Sequence, residues 1–151
     1  MSEYTGSQAI SGVGTKFERW DDETTSPGQW AELAEVFSIT GPGKSRNVID
    51  VTSFSSTGGY REKIAGLRDS GTLSFTMNFR RDTYELLNTD FESNTRRAYR
   101  IVLGDPDETA LEIEGLVTEL PLTVPEGDRI TVDVSIEISG EVNIYDNSSG
   151  A

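Results

Sequence analysis

At 151 residues and 16.5 kDa, with 34% hydrophobic residues, the chain has the size and apolar content of one folded domain. It contains no Cys and no His, which excludes disulfides, thiol nucleophiles, zinc sites of ordinary type and every Ser-His or Cys-His catalytic arrangement. Thirteen Lys and Arg against 26 Asp and Glu leave a net charge of −13, so the protein as a whole repels polyanions and tight phosphate binding is not expected.

Residues 1–15 are rich in Gly, Ser and Thr without an apolar period and read as a flexible N-terminal arm. No run of signal-peptide or membrane-spanning length appears, so the chain reads as soluble, made in the cytoplasm and not inserted in a membrane. A single domain is expected over residues 16–145. Its first strand candidates, residues 32–40 and 47–53, flank the turn Gly41-Pro42-Gly43.

The stretch 41–71 is long for a connection inside a compact domain. It mixes Lys44, Arg46, Asp50, Arg61, Glu62, Arg68 and Asp69 with the anchors Phe54, Tyr60, Ile64 and Leu67. Connections of this length are usually functional or disordered, and the anchors favour a protruding hairpin or arm that docks on another surface. Arg61 beside Glu62 and Arg68 beside Asp69 are candidates for charge pairs between subunits. A loop folded over its own domain, with exposed ion pairs of little energetic value, is the alternative.

Residues 72–80 then alternate: Leu73, Phe75, Met77 and Phe79 against Thr72, Ser74, Thr76, Asn78 and Arg80. This is a strand with one apolar face. Asp82 precedes Tyr84, Leu87 and Phe91, with Glu85 three residues on, which predicts a capped amphipathic helix over 82–94. Strand candidates follow at 98–103 and 109–120, joined through Gly104-Asp105-Pro106-Asp107, with Glu112 and Glu114 on one face of the second. After the turn Pro125-Glu126-Gly127-Asp128, the clearest alternation in the chain sets Ile130, Val132, Val134, Ile136 and Ile138 against Thr131, Asp133, Ser135, Glu137 and Ser139. A short strand candidate at 141–145 precedes a polar tail, 146–151, read as flexible. The fold class is mainly β, a sandwich or barrel-like architecture with one flanking helix and a long protruding arm.

The ordered strings Ser38-Ile39-Thr40-Gly41-Pro42-Gly43-Lys44-Ser45-Arg46-Asn47-Val48-Ile49-Asp50-Val51-Thr52, Gly59-Tyr60-Arg61-Glu62, Ile64-Ala65-Gly66-Leu67-Arg68-Asp69-Ser70-Gly71 and Leu73-Ser74-Phe75-Thr76-Met77-Asn78-Phe79 resemble the major tail tube proteins of long, flexible-tailed, lambda-like bacteriophages. Tyr99-Arg100-Ile101-Val102-Leu103, Glu114-Gly115-Leu116-Val117-Thr118 and the final alternating strand extend the resemblance over roughly residues 30–140. It implies a structural virion protein, not an enzyme and without a cofactor. Such subunits form hexameric rings that stack into a hollow tube, each giving four strands to a continuous inner barrel through which viral DNA passes. It implies as further partners a tape measure protein inside the tube and tail terminator and distal tip proteins at its ends. The implied location is the virion tail, assembled in the host cytoplasm. Some family members carry an additional immunoglobulin-like domain after the tube domain, whereas only a short polar tail follows Tyr145 here.

Four strands from each of six subunits, at about 4.8 Å spacing and about 40° tilt, close into a barrel of roughly 24 Å backbone radius, wide enough for duplex DNA. A conduit must pass DNA without holding it, which favours carboxylates and hydroxyls over cations. On that ground Glu112, Glu114, Thr131, Asp133, Ser135 and Glu137 are the candidate lumen residues; the plainer reading is the solvated face of a sandwich. Long regular strands also leave sheet edges that pairing with neighbouring subunits would satisfy. Ordering the arm costs entropy, so it is expected to fold on assembly.

Other readings remain open at this point. Tail terminators and secretion-system tube proteins use related folds. Trp20, Trp30 and Tyr60 could form a sugar platform on a carbohydrate-binding sandwich, though packing is their more ordinary role. Paired carboxylates could in principle serve glycoside hydrolysis. Asp105, Asp107 and Glu108 carry hard oxygen ligands for calcium but lack the spacing of a calcium loop, and a hairpin turn is the simpler assignment.

Overall fold

The computed structural model describes residues 11–22, 27–33 and 35–147. The N-terminal arm read at 1–15 and the tail read at 146–151 thus lie mostly outside the described residues. Asp146 is still part of a strand, and the Asn147 N–H donates to the carbonyl of Glu108.

In chain order the strands are β1 (Lys16–Asp21), β2 (Gln29–Glu32), β3 (Val36–Thr40), β4 (Ser45–Asp50), β5 (Lys63–Asp69) and β6 (Thr72–Asn78), then helix α1 (Arg81–Glu92), then β7 (Arg97–Val102), β8 (Thr109–Glu119), β9 (Leu122–Thr123), β10 (Thr131–Ile138) and β11 (Asn143–Asp146). Among the described residues, nine strands form one antiparallel sheet in the order β2-β1-β7-β8-β10-β6-β3, with β9 beside β10 and β11 beside β8. β4 and β5 form a separate two-stranded hairpin.

The two ends of that path, β2 and β3, are consecutive in the chain. Leu33 N–H donates to the carbonyl of Phe17 on β1, and two residues later the carbonyl of Glu35 accepts from Asn78 at the end of β6. So short a link forces opposite margins of the sheet together, because a residue spans at most about 3.6 Å. The sheet is therefore rolled into a flattened barrel with one interior.

That interior follows the alternation along the strands. Leu73, Phe75 and Met77 of β6 and Val132, Val134, Ile136 and Ile138 of β10 all point inward. Phe17 of β1 ties the two walls together, its ring centroid 4.3 Å from Phe75 and 5.9 Å from Tyr99. Two residues counted on the apolar faces lie past the strand ends: Phe79 is part-exposed against Tyr84, and Ile130 precedes β10.

The helix forms where the heptad-like spacing predicts, with a different start and face. Arg80 is the N-cap residue and makes no side-chain cap bond; Asp82 lies within the first turn, where its carboxylate accepts from the Thr83 N–H at 2.8 Å. Glu85 pairs with Arg81 rather than closing a capping box. Leu87 is fully buried but Phe91 is exposed, and Thr83 and Asp90 take the inward positions instead.

Asp90 explains the rotation. Its carboxylate receives Arg19 Nε and Nη2 from β1, both at 2.7 Å, together with Arg97 Nε at 2.7 Å and the Tyr99 hydroxyl at 2.7 Å from β7. Arg19 is 1% exposed and Asp90 4%. A buried carboxylate is tolerated when its oxygens are filled by charged donors, so the helix turns its acid inward to meet the arginines. Burial, and then the neighbouring Asp90 carboxylate, push the Tyr99 phenol well above its ordinary pKa, keeping it a donor.

Candidate channel face and assembly hairpin

β3, β6, β10 and the edge formed by the C-terminal half of β8 with β9 make a four-strand portion of the sheet. β6 and β10 are in register from Thr72↔Glu137 to Asn78↔Thr131. Residues 116–119 of β8 and 122–123 of β9 run along the other side of β10, bridged by the Asp133 N–H donating to the Pro121 carbonyl. Because the inward positions are taken by the core, the opposite face carries Ser38, Thr40, Thr72, Ser74, Thr76, Thr118, Thr131, Asp133, Ser135 and Glu137, with Leu116 across from Glu137. The strand sequences VFSIT, TLSFTMN, TALEIEGLVTE, LT and TVDVSIEI contain no Lys or Arg at all. Every basic strand residue sits in β1, β4, β5 or β7.

The two carboxylates on β10 are held by hydroxyls. Thr72 Oγ1 donates to Glu137 Oε2 at 2.9 Å and Thr76 Oγ1 to Asp133 Oδ1 at 2.8 Å, each across the β6–β10 ladder. They are exposed, fixed in direction and unneutralised by any cation among the described residues.

The structure separates Glu112 from this group. It is half-buried on the stretch of β8 that pairs with β7 and β11, where the Tyr145 hydroxyl donates to Glu112 Oε1 at 3.2 Å. Arg100 is the centre of that cluster: it is hydrogen-bonded to Glu18, donates to Tyr145 at 2.9 Å and lies 4.6 Å from the Trp30 ring centroid. Glu114, exposed and 3.9 Å from Arg96, stands at the margin between the two areas. Cross-strand register, invisible in one strand read alone, makes this distinction.

The sheet portion has two open margins. Among the described residues β3 pairs only with β6, and residues 116–119 of β8 pair only with β10. Both present unpaired backbone groups of the kind that template a further strand.

The hairpin leaves the barrel between β3 and β6. Gly41 and Gly71 mark its root at φ +107 and +75, and a Cβ at Gly71 would collide with the Gly43 carbonyl. All of β4 is exposed, as is β5 apart from part-buried Gly66. Phe54, Tyr60, Ile64 and Leu67, read from the sequence as anchors, are indeed large and uncovered, with Leu67 84% exposed; Val48 and Ile49 join them. Of the charged candidates, Arg61 pairs with Asp50 at 3.5 Å within the hairpin, Glu62 accepts Val51 N–H through its carbonyl, and Asp69 accepts the Gly71 N–H at 2.9 Å. The adjacent Arg61-Glu62 and Arg68-Asp69 pairs do not contact each other as ion pairs within this chain. Arg46 and Arg68 are directly opposite across the ladder.

The competing sites look different once placed. Trp20 and Trp30 meet edge to face at 5.3 Å and 74°, a packing geometry rather than an open coplanar platform, and Tyr60 is on the separate hairpin. Asp105 is occupied by the β7–β8 turn: both oxygens accept from Thr109, at 2.8 Å from N–H and 2.6 Å from Oγ1, and these bonds hold its carboxyl below the ordinary range.

The family described as lambda phage tail tube protein, TTP, matches residues 13–145. No curated protein matches. Among solved structures, the fold is similar to the tail of an empty gene transfer agent particle refined with C6 symmetry (TM-score 0.72, 21% identity, 91% of this chain and 99% of that one). It is also similar to the SPP1 tail tube (TM-score 0.66, 12% identity, 93% and 83%) and to a chain in the sheath-tube complex of an extracellular contractile injection system (TM-score 0.68, 11% identity, 92% and 93%). A tube-terminating cap of an anti-feeding prophage shares the fold as well, at TM-score 0.68, so the architecture alone does not separate tube from terminator. The family match makes that separation over 133 consecutive residues, and the chain belongs to the lambda phage tail tube protein family, a family of structural phage-tail components.

Proposed function

We propose that six copies close into a ring through the open margins of the four-strand face, and that the rings stack into a tube whose bore is that face. The carrying observation is its composition and geometry together: four neighbouring strands without a single Lys or Arg, flanked by two unpaired edges. Pairing β3 of one copy with the β8–β9 edge of the next satisfies both edges at once and continues one sheet around the ring. This is the same solution by which barrels abolish sheet edges.

The bore so formed presents Asp133 and Glu137 with the hydroxyls of Thr72, Ser74, Thr76, Thr131 and Ser135, and Glu114 lies at its margin. Phosphates passing along its four strands meet like charge and no Lys or Arg, with Arg96 at the margin beside Glu114, so viral DNA is guided without being bound; salt-dependent capture needs Lys or Arg. Glu112 belongs to the Arg100 cluster outside the bore. The role is mechanical rather than enzymatic. A tape measure protein occupies the bore during assembly in the host cytoplasm, and terminator and distal tip proteins close the ends of the virion tail. The hairpin supplies contacts between copies.

Negative-stain microscopy of concentrated pure protein tests this reading. Hollow filaments with six-fold end views are the expected result. Discrete globules at all concentrations, with hydrolytic or glycan-binding activity, would contradict it.

A further inference from the structure

The hairpin and the opposite end of the barrel are complementary in a way the isolated chain cannot use. Residues 41–71 hold five cations, Lys44, Arg46, Arg61, Lys63 and Arg68, and three carboxylates, Asp50, Glu62 and Asp69. That is +2 on a chain of −13, leaving −15 for the rest. At the hairpin root, Lys44, Ser45, Arg46, Leu67, Arg68 and Asp69 line one side of a groove whose other side is Ser70, Gly140, Glu141 and Val142. Arg46 and Arg68 are direct cross-strand partners there, and like charges in that position repel. Among the described residues no carboxylate forms an ion pair with either arginine, and Asp69 is turned back to the Gly71 N–H.

β6 runs away from this root and β10 runs toward it, so the β9–β10 loop lies at the far end of the same strands. That end carries exposed Glu119, Glu126 and Asp128, with Glu35 alongside; of its cations, Arg129 lies over the Phe37 ring at 4.5 Å, and Arg80 and Arg81 are paired with Asp82 and Glu85. It is also apolar: Leu122 is 46%, Val124 65% and Phe37 50% exposed.

We infer that the Glu126-Gly127-Asp128 tip of one copy seats in the Arg46–Arg68 groove of a copy in the adjacent ring, with Val124 and Leu122 covered by the apolar side of the hairpin. The occupant is a second copy of this chain because the two surfaces differ in charge sign and lie at opposite ends of one molecule. A contact of that kind is heterologous and propagates without closing, which is what ring stacking requires. It also resolves the Arg46–Arg68 repulsion that the free subunit retains. This inference rests on the tube reading and names which surfaces stack.

The test uses the full chain with paired charge reversals. Arg46→Glu with Arg68→Glu, or separately Glu126→Lys with Asp128→Lys, should leave circular dichroism unchanged and raise the concentration needed for tubes about tenfold or more, with single rings accumulating. One chain carrying all four reversals should recover tubes, and in the unmodified protein stacking should weaken with added salt. Tubes that form normally from both two-site variants, or no recovery in the four-site chain, overturn the inference while leaving the tube reading intact. Absence of tubes from the unmodified protein overturns both.

Discussion

β6 with β10 and β4 with β5 are two antiparallel pairs of similar length in one chain, and they differ in almost everything except their hydrogen bonding. The first alternates buried and outward residues along both strands; in the second both faces are open to solvent, apart from part-buried Gly66. Ladder hydrogen bonds contribute little net because water competes for the same groups. What separates the pairs is apolar surface removed from water, about 25 cal/mol per Å². An isolated two-stranded hairpin is marginal. In the proposed tube the hairpin's exposed Ile64, Leu67 and Phe54 are surface for another copy, whereas the barrel has a core of its own.

The largest expected effect lies in the barrel. Asp90→Ala removes the buried carboxylate that Arg19, Arg97 and Tyr99 share and should cost about 3–5 kcal/mol in urea unfolding; a loss below about 1 kcal/mol would show that the buried network does not hold α1 to the sheet. Met77→Ala, at a fully buried position, should cost about 2–5 kcal/mol. Leu67→Ala on the hairpin should change free-subunit stability by less than about 0.5 kcal/mol while impairing tube formation. Equal effects of these two substitutions on subunit unfolding would erase the contrast between the regions.

Gly71→Ala is expected to sit between them, at about 1–3 kcal/mol, because it forces a side chain into positive φ against the Gly43 carbonyl. The smallest effect concerns the β7–β8 turn. The Asp105 carboxyl is held below its ordinary pKa by Thr109 Oγ1 and N–H, so its folded value is depressed relative to the unfolded chain. Its stabilisation is present above the unfolded pKa and is lost as pH falls through the depressed folded one. Acid titration of unfolding should show that part of the acid-side slope missing in Asp105→Asn.

Much of this was legible in the sequence. β6 and β10 follow period-2 alternation, α1 lies where the three-and-four spacing places a helix although Thr83 and Asp90 rather than Phe91 face inward, and residues 41–71 stand out by length and exposed large side chains. β1 and β2 escaped notice for a physical reason: the inward positions of β1 are Phe17, Arg19 and Asp21, so a buried ion pair interrupts the apolar period. β5 lacked a buried face altogether, which removes the signal that marks a strand. The burial of Asp90 carries no signal in the local sequence, because it depends on Arg19, 71 residues away on β1, folding against the helix beside Arg97. The same non-local register put Glu112 with Arg100 and Tyr145 rather than with Asp133 and Glu137.

The most direct measurement is a helical reconstruction of the assembled particle at side-chain resolution. The expected map shows a bore lined by Asp133, Glu137 and the β6 hydroxyls, with β3 of each copy hydrogen-bonded to the β8–β9 edge of the next. A bore lined by Lys and Arg from the hairpin, or copies that touch without sharing a sheet, would contradict it.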